Sequence, residues 1–268
     1  MNLFWIFGDP LFSVCFMFVV GTIMGSFGNV CIYRIPKGES VVFPSSHCQH
    51  CNYKIPAYLN IPLIGWFLIG GKCANCKAPV SWRYPLVELL VGISFALLYL
   101  RYGWSWTTLE FSIFVWGLII SSFIDIDHMI LPDVFTLSGI VLGLAGSFLN
   151  PERFYLDSLA GVAFGGGFLL LVAYGYYLVR KIEGMGGGDI KLLGWIGAYL
   201  GWQSIAFTLF FSSFVGVIVG VIYLRLSKQG MRTEIPFGPY LAAGALVYTF
   251  WDVRGYMEFL FPFASMGM

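Results

Sequence analysis

The residues of this chain that could do chemistry are a few carboxylates at the ends of apolar runs and four paired thiols. Asp125 and Asp127 lie in Phe123-Ile-Asp-Ile-Asp-His-Met-Ile-Leu-Pro-Asp133, and Asp189 lies in Gly184-Met-Gly-Gly-Gly-Asp-Ile-Lys-Leu-Leu. Ionisable groups in or beside long apolar segments are costly and tend to mark function. Two carboxylates on different helices at one depth can share a proton and hold a water between them. Like charges that close cannot both ionise easily, so one serves as base and the other as acid. Peptide hydrolysis by an aspartic protease requires that pair. A proton or cation relay through a transporter or channel would use the same two groups, and the chemistry of Asp125 and Asp189 alone fits both. The glycines before Asp189 leave backbone open where an extended substrate must approach. Other carboxylates have plainer roles. Asp127, two residues from Asp125, falls on nearly the opposite helix face. Asp133 follows Pro132 at a helix start, where capping suffices. Glu88 and Glu110 lie in the first turns of apolar runs, where interfacial or helix-dipole roles suffice.

The thiols form Cys48-Gln-His-Cys51 and Cys73-Ala-Asn-Cys76, two C-x2-C pairs separated by 21 residues. Two such knuckles can wrap four thiolates around Zn²⁺, and four protein ligands leave no open position, which makes the metal structural rather than catalytic. A pair of disulfides is the alternative; a loop in the reducing cytoplasm favours zinc. His47 and His50 adjoin the cluster, with four cysteines already available. Cys15 and Cys31 read as small buried hydrophobes of the first apolar run.

The elements that must position these groups are membrane helices. Of 268 residues, 58% are hydrophobic and 11% charged, against roughly 45–50% and 25% in soluble domains. The aromatic content excludes disorder, and 15 basic against 14 acidic side chains with no dense basic run give no support to nucleic-acid binding. A membrane helix needs about 20 mostly apolar residues. Candidates are 11–33, 84–100, 105–124, 131–149, 156–179, 192–224 and 235–251. The first reads as a retained helix rather than a cleaved signal. The sixth, 33 residues without charge, is long for one span, and Gly201-Trp-Gln-Ser204 offers a turn that makes it two. Eight spans put twelve Lys and Arg on one side and only Arg101, Arg153 and Arg254 on the other, which by the positive-inside rule places the loop 34–84 in the cytoplasm and both termini in the periplasm. The expected fold is an all-α polytopic membrane protein with about eight transmembrane helices and a cytoplasmic four-cysteine zinc-binding loop between the first two. Its parts are a first helix (1–33), the loop (34–84) and a membrane-embedded catalytic domain of about seven helices (85–268). Within the loop, 61–69 is apolar but too short to span, and is expected to pack back on the membrane domain or lie at the interface. Gly161-x-x-x-Gly165-Gly-Gly167 reads as a close-packing face between helices.

These features occur in an order that resembles bacterial type IV prepilin peptidases, membrane-embedded aspartic proteases of the GxGD type. The likeness covers nearly the whole chain: Gly25-Ser-Phe-Gly-Asn-Val-Cys-Ile-Tyr-Arg-Ile-Pro36, the paired knuckles, Asp125 to Asp133, Gly186-Gly-Gly-Asp189 and Ile235-Pro-Phe-Gly-Pro239. The resemblance implies removal of the short basic leader from type IV prepilins and type II secretion pseudopilins, at the cytoplasmic face of the inner membrane. Many members then methylate the new N-terminal amine, usually of phenylalanine, with S-adenosylmethionine. The family's catalytic aspartates fall on Asp125 and Asp189 and its GxGD glycines on Gly186 and Gly188, beside the substrate. The four-cysteine loop, with Cys48, Cys51, Cys73 and Cys76 as metal ligands, resembles that of the bifunctional members. No glycine fingerprint for the methyl donor is present, so its site has no residues assigned. A non-enzymatic assembly factor for the pilus machine is the third reading.

Overall fold

The computed structural model of the chain describes residues 9–150, 153–182, 185–227 and 235–251. Both termini lie outside them, with Lys228, Arg232 and Arg254 of the charge distribution and Gly184 of the glycine run. Among the described residues there are eight apolar helices of 13 residues or more: α1 (Pro10–Arg34), α2 (Arg83–Tyr102), α3 (Trp106–His128), α4 (Asp133–Ser147), α5 (Tyr155–Arg180), α6 (Gly187–Leu200), α7 (Gln203–Ser227) and α8 (Gly238–Phe250). They correspond one to one with the apolar segments of the sequence. The long sixth segment divides at Gly201, whose φ of +78° is open to glycine at little steric cost and ends α6 before α7 begins. Five helices (α1, α2, α3, α5 and α7) are long and apolar enough to cross a membrane. The chain is an all-α, multi-pass membrane protein. Helix α6, only 14 residues, is buried continuously from Leu192 to Leu200.

The chain divides into two compact units, Met1–Ile130 and Leu131–Met268. In the first, Asp9 caps α1 by accepting the Leu11 N–H at 2.9 Å, and Pro10 opens the helix. Helices α1 and α2 touch backbone to backbone. A methyl group on Gly21 would stand 2.8 Å from the Gly92 Cα, and one on Gly25 2.6 Å from the Glu88 Cα. The Asn29 amide donates to the Tyr84 carbonyl at 3.0 Å at the end of this seam. Helix α3 crosses α1 through Trp116, whose indole N–H donates to the Met24 carbonyl at 2.8 Å. Ser105 caps its start, accepting the Thr108 N–H at 3.2 Å.

The second unit is built around α6. A methyl group on Gly161 of α5 would stand 2.1 Å from the Gly197 carbonyl oxygen, and the converse distance is also 2.1 Å. Gly165 meets the Leu193 carbonyl in the same way at 2.6 Å. Within the Gly161–Gly167 run, Gly161 and Gly165 are thus the packing face and admit no side chain, whereas Gly166 and Gly167 have room for a methyl group. Arg153 is buried, and its guanidinium donates to the carbonyls of Ala198, Tyr199 and Gly143 at 3.1, 2.7 and 2.9 Å. It closes the C-terminal end of α6, where carbonyls have no helical partner and a cation is favoured. Gly197→Val is expected to destabilise the protein by about 1–3 kcal/mol through forced separation of α5 and α6. Gly166→Ala, whose added methyl would meet nothing closer than 3.6 Å, is expected to be tolerated. Thermal unfolding of the two variants in detergent checks this, and equal midpoints would contradict it.

Candidate functional site

Asp125 sits in the last turn of α3 and is only 5% exposed. Its carbonyl accepts the Met129 N–H at 2.9 Å, and Met129 turns the chain out of the helix in the left-handed region. Asp127 is exposed and forms an ion pair with Arg83, the first residue of α2. The two carboxylates therefore face different surroundings, as a two-residue spacing on a helix requires.

Asp189 is the third residue of α6 and half-buried. The helix N-terminus favours a carboxylate there. Where side chains on Gly186 and Gly187 would stand, nothing lies within 4 Å, whereas one on Gly188 would meet the Leu131 side chain at 2.9 Å. The chain just before Asp189 is bare backbone next to open space. Two residues on, Lys191 donates to the Asp133 carboxylate at 2.6 Å, tying the first turns of α6 and α4 together. The capping expected of Asp133 does not occur. Pro132 holds the cap position without a side-chain bond, and Asp133 reaches across to α6 instead. Each candidate aspartate thus has, two residues further along, a charged residue anchored by an opposite charge in its own unit. Asp125 belongs to the first unit and Asp189 to the second.

The four cysteines gather. Their sulfurs all lie within 4.8 Å of one another, with Cys48–Cys76 at 3.8 Å and Cys51–Cys73 at 3.9 Å. These pairs cross between the knuckles, and they are too long for disulfides, whose S–S length is about 2.05 Å. They match the edge of about 3.8 Å that a tetrahedron of thiolates has around an ion at about 2.3 Å. The four sulfurs could hold a metal ion. The knuckles are built alike. The Cys48 N–H donates to Tyr53 and the Cys73 N–H to Ala78, while Asn52 and Lys77 donate back to Cys48 and Cys73. Asn52 and Lys77, each just past its second cysteine, both take positive φ. His47 is turned to the Ser45 carbonyl, and the gathered donors are the cysteines alone.

The backbone N–H groups of Cys76 and Asn75 lower the Cys73 thiol to about 6, and the Tyr53 N–H lowers that of Cys51. The Ala78 N–H lowers the Cys76 thiol, but partial burial and the neighbouring sulfurs outweigh it and push that thiol up to about 11.

The apolar stretch 61–69 is tied to the membrane helices by a backbone hydrogen bond, while its side chains Ile61, Ile64, Phe67 and Leu68 stay exposed. It forms a one-turn helix, Ile64–Leu68, and just before it the Leu63 N–H donates to the Glu88 carboxylate at 2.7 Å. A cavity of about 920 Å³ opens between α1, the cysteine loop and the start of α2, lined by Ser26, Asn29, Tyr33, Trp66, Tyr84 and Glu88 among others. Sequence reasoning gave Glu88 only an interfacial role, and missed the cavity and both ion pairs. The one signal for the pairs was that each candidate aspartate has a charged residue two positions beyond it.

A multi-pass helical membrane protein with a four-thiol cluster and an acid-bearing glycine run is the class that these observations define. Residues 19–102 match the bacterial peptidase A24 N-terminal domain, and residues 112–221 match the type IV leader peptidase family. The prepilin leader peptidase/N-methyltransferase of Stutzerimonas stutzeri is 37% identical, covering 94% of this chain and 96% of that one. The protein of the same name from Pseudomonas aeruginosa is also 37% identical, over 93% of this chain and 95% of its own. That of Neisseria gonorrhoeae is 36% identical, over 89% and 91%. No solved structure matches. The chain belongs to the type IV leader peptidase family.

Metal binding to the cysteines competes with protons. Cys73, lowered to about 6, is a thiolate at neutral pH and loses that form as pH falls through about 6. Cys76, raised to about 11, must give up its proton to bind. A divalent metal titrated into chelator-treated protein is therefore expected to release protons at neutral pH. Its binding is expected to weaken as the solution is acidified, most steeply below about pH 6. Titration against a competing chelator at several pH values checks it, and pH-independent affinity would refute it.

Proposed function

We propose that the chain is a prepilin leader peptidase: an aspartic endopeptidase of the inner membrane that removes leaders from type IV prepilins and type II secretion pseudopilins at the cytoplasmic face. It also N-methylates the new terminus from S-adenosylmethionine. The observation that carries this is the family match, two domains in order over most of the chain, with relatives that bear both activities in their name. Neither match supports a transporter using Asp125 and Asp189 as a relay.

In this reading Asp125 and Asp189 act on one water. One carboxylate, ionised, takes a proton from the water as it attacks the scissile carbonyl. The other, protonated, gives its proton to the leaving amine. The pair titrates as a unit, so the two roles belong to the pair rather than to either residue. A buried carboxylate at a helix end, Asp125, and one beside open backbone, Asp189, are suited to those tasks. Gly186 and Gly188 would let the extended chain around the scissile bond come close. The substrate is itself a membrane helix, so lateral docking would orient that bond and remove much of the entropic cost of encounter. The four cysteines would hold one structural Zn²⁺, which organises the loop and has no open position for chemistry. Both termini lie in the periplasm in this topology.

Purified protein in detergent, mixed with a prepilin, is expected to release the leader. Asp125→Asn and Asp189→Asn are each expected to slow cleavage by about 10²–10⁴-fold, and Asp127→Asn, which loses only the Arg83 pair, is expected to retain more activity. Normal cleavage by either of the first two variants would defeat the assignment. Elemental analysis is expected to find about one zinc per chain, lost when Cys48 and Cys51 are both replaced by serine. Mass spectrometry of the mature product should show one added methyl group only when S-adenosylmethionine is supplied.

A further inference from the structure

The 920 Å³ cavity of the first unit has the size of a small-molecule site, and it has the usual make-up of one, largely apolar walls with a few convergent polar groups. Its most unusual wall residue is Glu88. This carboxylate is only 7% exposed, yet it has no cationic partner among the described residues. Its known bonds are from the Leu63 N–H at 2.7 Å and from Ser26. The two arginines that also line the cavity are turned to other partners. Arg34 donates to the carbonyls of Ser40 and Pro44 at 3.0 and 2.7 Å, and Arg83 pairs with Asp127. Beside Glu88 in the same wall, Asn29 is buried with its side-chain oxygen unpartnered. A buried carboxylate is costly unless a cation or enough donors satisfy it. Here the bonds come from two neutral donors, the Leu63 N–H and Ser26. The rings of Phe27, Trp66 and Tyr84 also line the cavity, and aromatic faces favour a cation and an aromatic or apolar body; the face of Tyr33 is already taken by Lys37, 3.3 Å from its centroid.

We infer that this cavity is a binding site for an α-ammonium group attached to an apolar or aromatic body, with Glu88 as its counter-ion. The inference rests on the peptidase and N-methyltransferase reading above and names a site for its second activity. Two molecules of that reaction carry such a group: the amino-acid end of the methyl donor, and the new N-terminus of the cut substrate. Ser26 and Asn29 lie on one face of α1, and Tyr84 and Glu88 lie one turn apart on α2. The glycine seam of Gly21, Gly25 and Gly92 holds these two helices in register. The Leu63 N–H, from the loop between the knuckles, completes the carboxylate's setting and joins the metal-binding loop to the site.

The test uses the full chain in detergent with three probes: S-adenosylhomocysteine, a short peptide with a free N-terminal phenylalanine, and the same peptide N-acetylated. Binding is measured to the parent protein, to Glu88→Gln and to Val30→Trp. Glutamine keeps an acceptor for the Leu63 N–H, so the loop stays anchored while the charge goes. Tryptophan at Val30, another wall residue, fills the space without touching the charge. Glu88→Gln is expected to weaken the ammonium-bearing probe by about tenfold or more, and Val30→Trp is expected to weaken it as well. Loss confined to S-adenosylhomocysteine names the methyl donor as the source. Loss confined to the free peptide, with the acetylated one binding poorly throughout, names the new N-terminus. Unchanged binding of both ammonium probes in both variants overturns the inference. If that happens while the parent protein cleaves and methylates normally, the functional reading stands and only the cavity assignment falls. A parent protein that neither cleaves nor methylates removes the reading itself.

Discussion

Backbone contact through glycine is the constraint on which the rest of the structure depends. Between membrane helices there is little hydrophobic drive, because lipid tails are as apolar as leucine; close van der Waals packing takes its place. Two seams use it. Gly21 and Gly25 lay α1 against α2 with no room for a methyl group, and Gly161 and Gly197 do the same for α5 and α6. The first seam sets the walls of the Glu88 cavity. The second sets the depth and rotation of α6, and with it the position of Asp189 at its N-terminal turn. A side chain at any of these glycines would move a functional group along with the helix that carries it.

The charges follow a consistent logic. Arg34 and Arg153 are both buried, and each donates to two or more backbone carbonyls. A guanidinium suits this role because its five N–H groups reach several carbonyls at once. Asp127 and Lys191, each two residues beyond a candidate aspartate, are paired with Arg83 and Asp133. Those pairs brace the helix ends on which Asp125 and Asp189 sit. Glu88 differs, a buried carboxylate with no cationic side chain bonded to it among the described residues. The cysteine cluster uses a different device, one knuckle geometry made twice, so that two local turns present four sulfurs within 4.8 Å of one another.

The eight helices were legible in the chain because long uncharged runs have few other fates, and the break at Gly201 was legible because a 33-residue run is too long for one crossing and carries a turn sequence in its middle. Helix ends shifted by a few residues, since polar residues such as Arg83 and Asp127 can extend a helix beyond its apolar stretch. The four-thiol cluster was legible because C-x2-C spacing is a local property of one turn. The divergence of Asp125 and Asp127 was equally local, following from helical periodicity. Asp133 was misread as a cap because its partner, Lys191, is 58 residues away. Glu88 was given only an interfacial or helix-dipole role for the same reason. Its significance depends on Leu63 and Ser26, on other segments, and on a cavity that no single segment encloses.

Composition, apolar run length and residue spacing were enough for the class of protein, the number of helices, the place of the break and the identity of the four thiols that gather, because each follows from geometry within one helix or one turn. Tertiary structure alone decided which glycines became contacts, which carboxylates found a cation, which arginines were drawn inside, and where an enclosed space was left. Those outcomes turn on ångström-scale distances between segments far apart in the chain, and such distances are set only once helices pack.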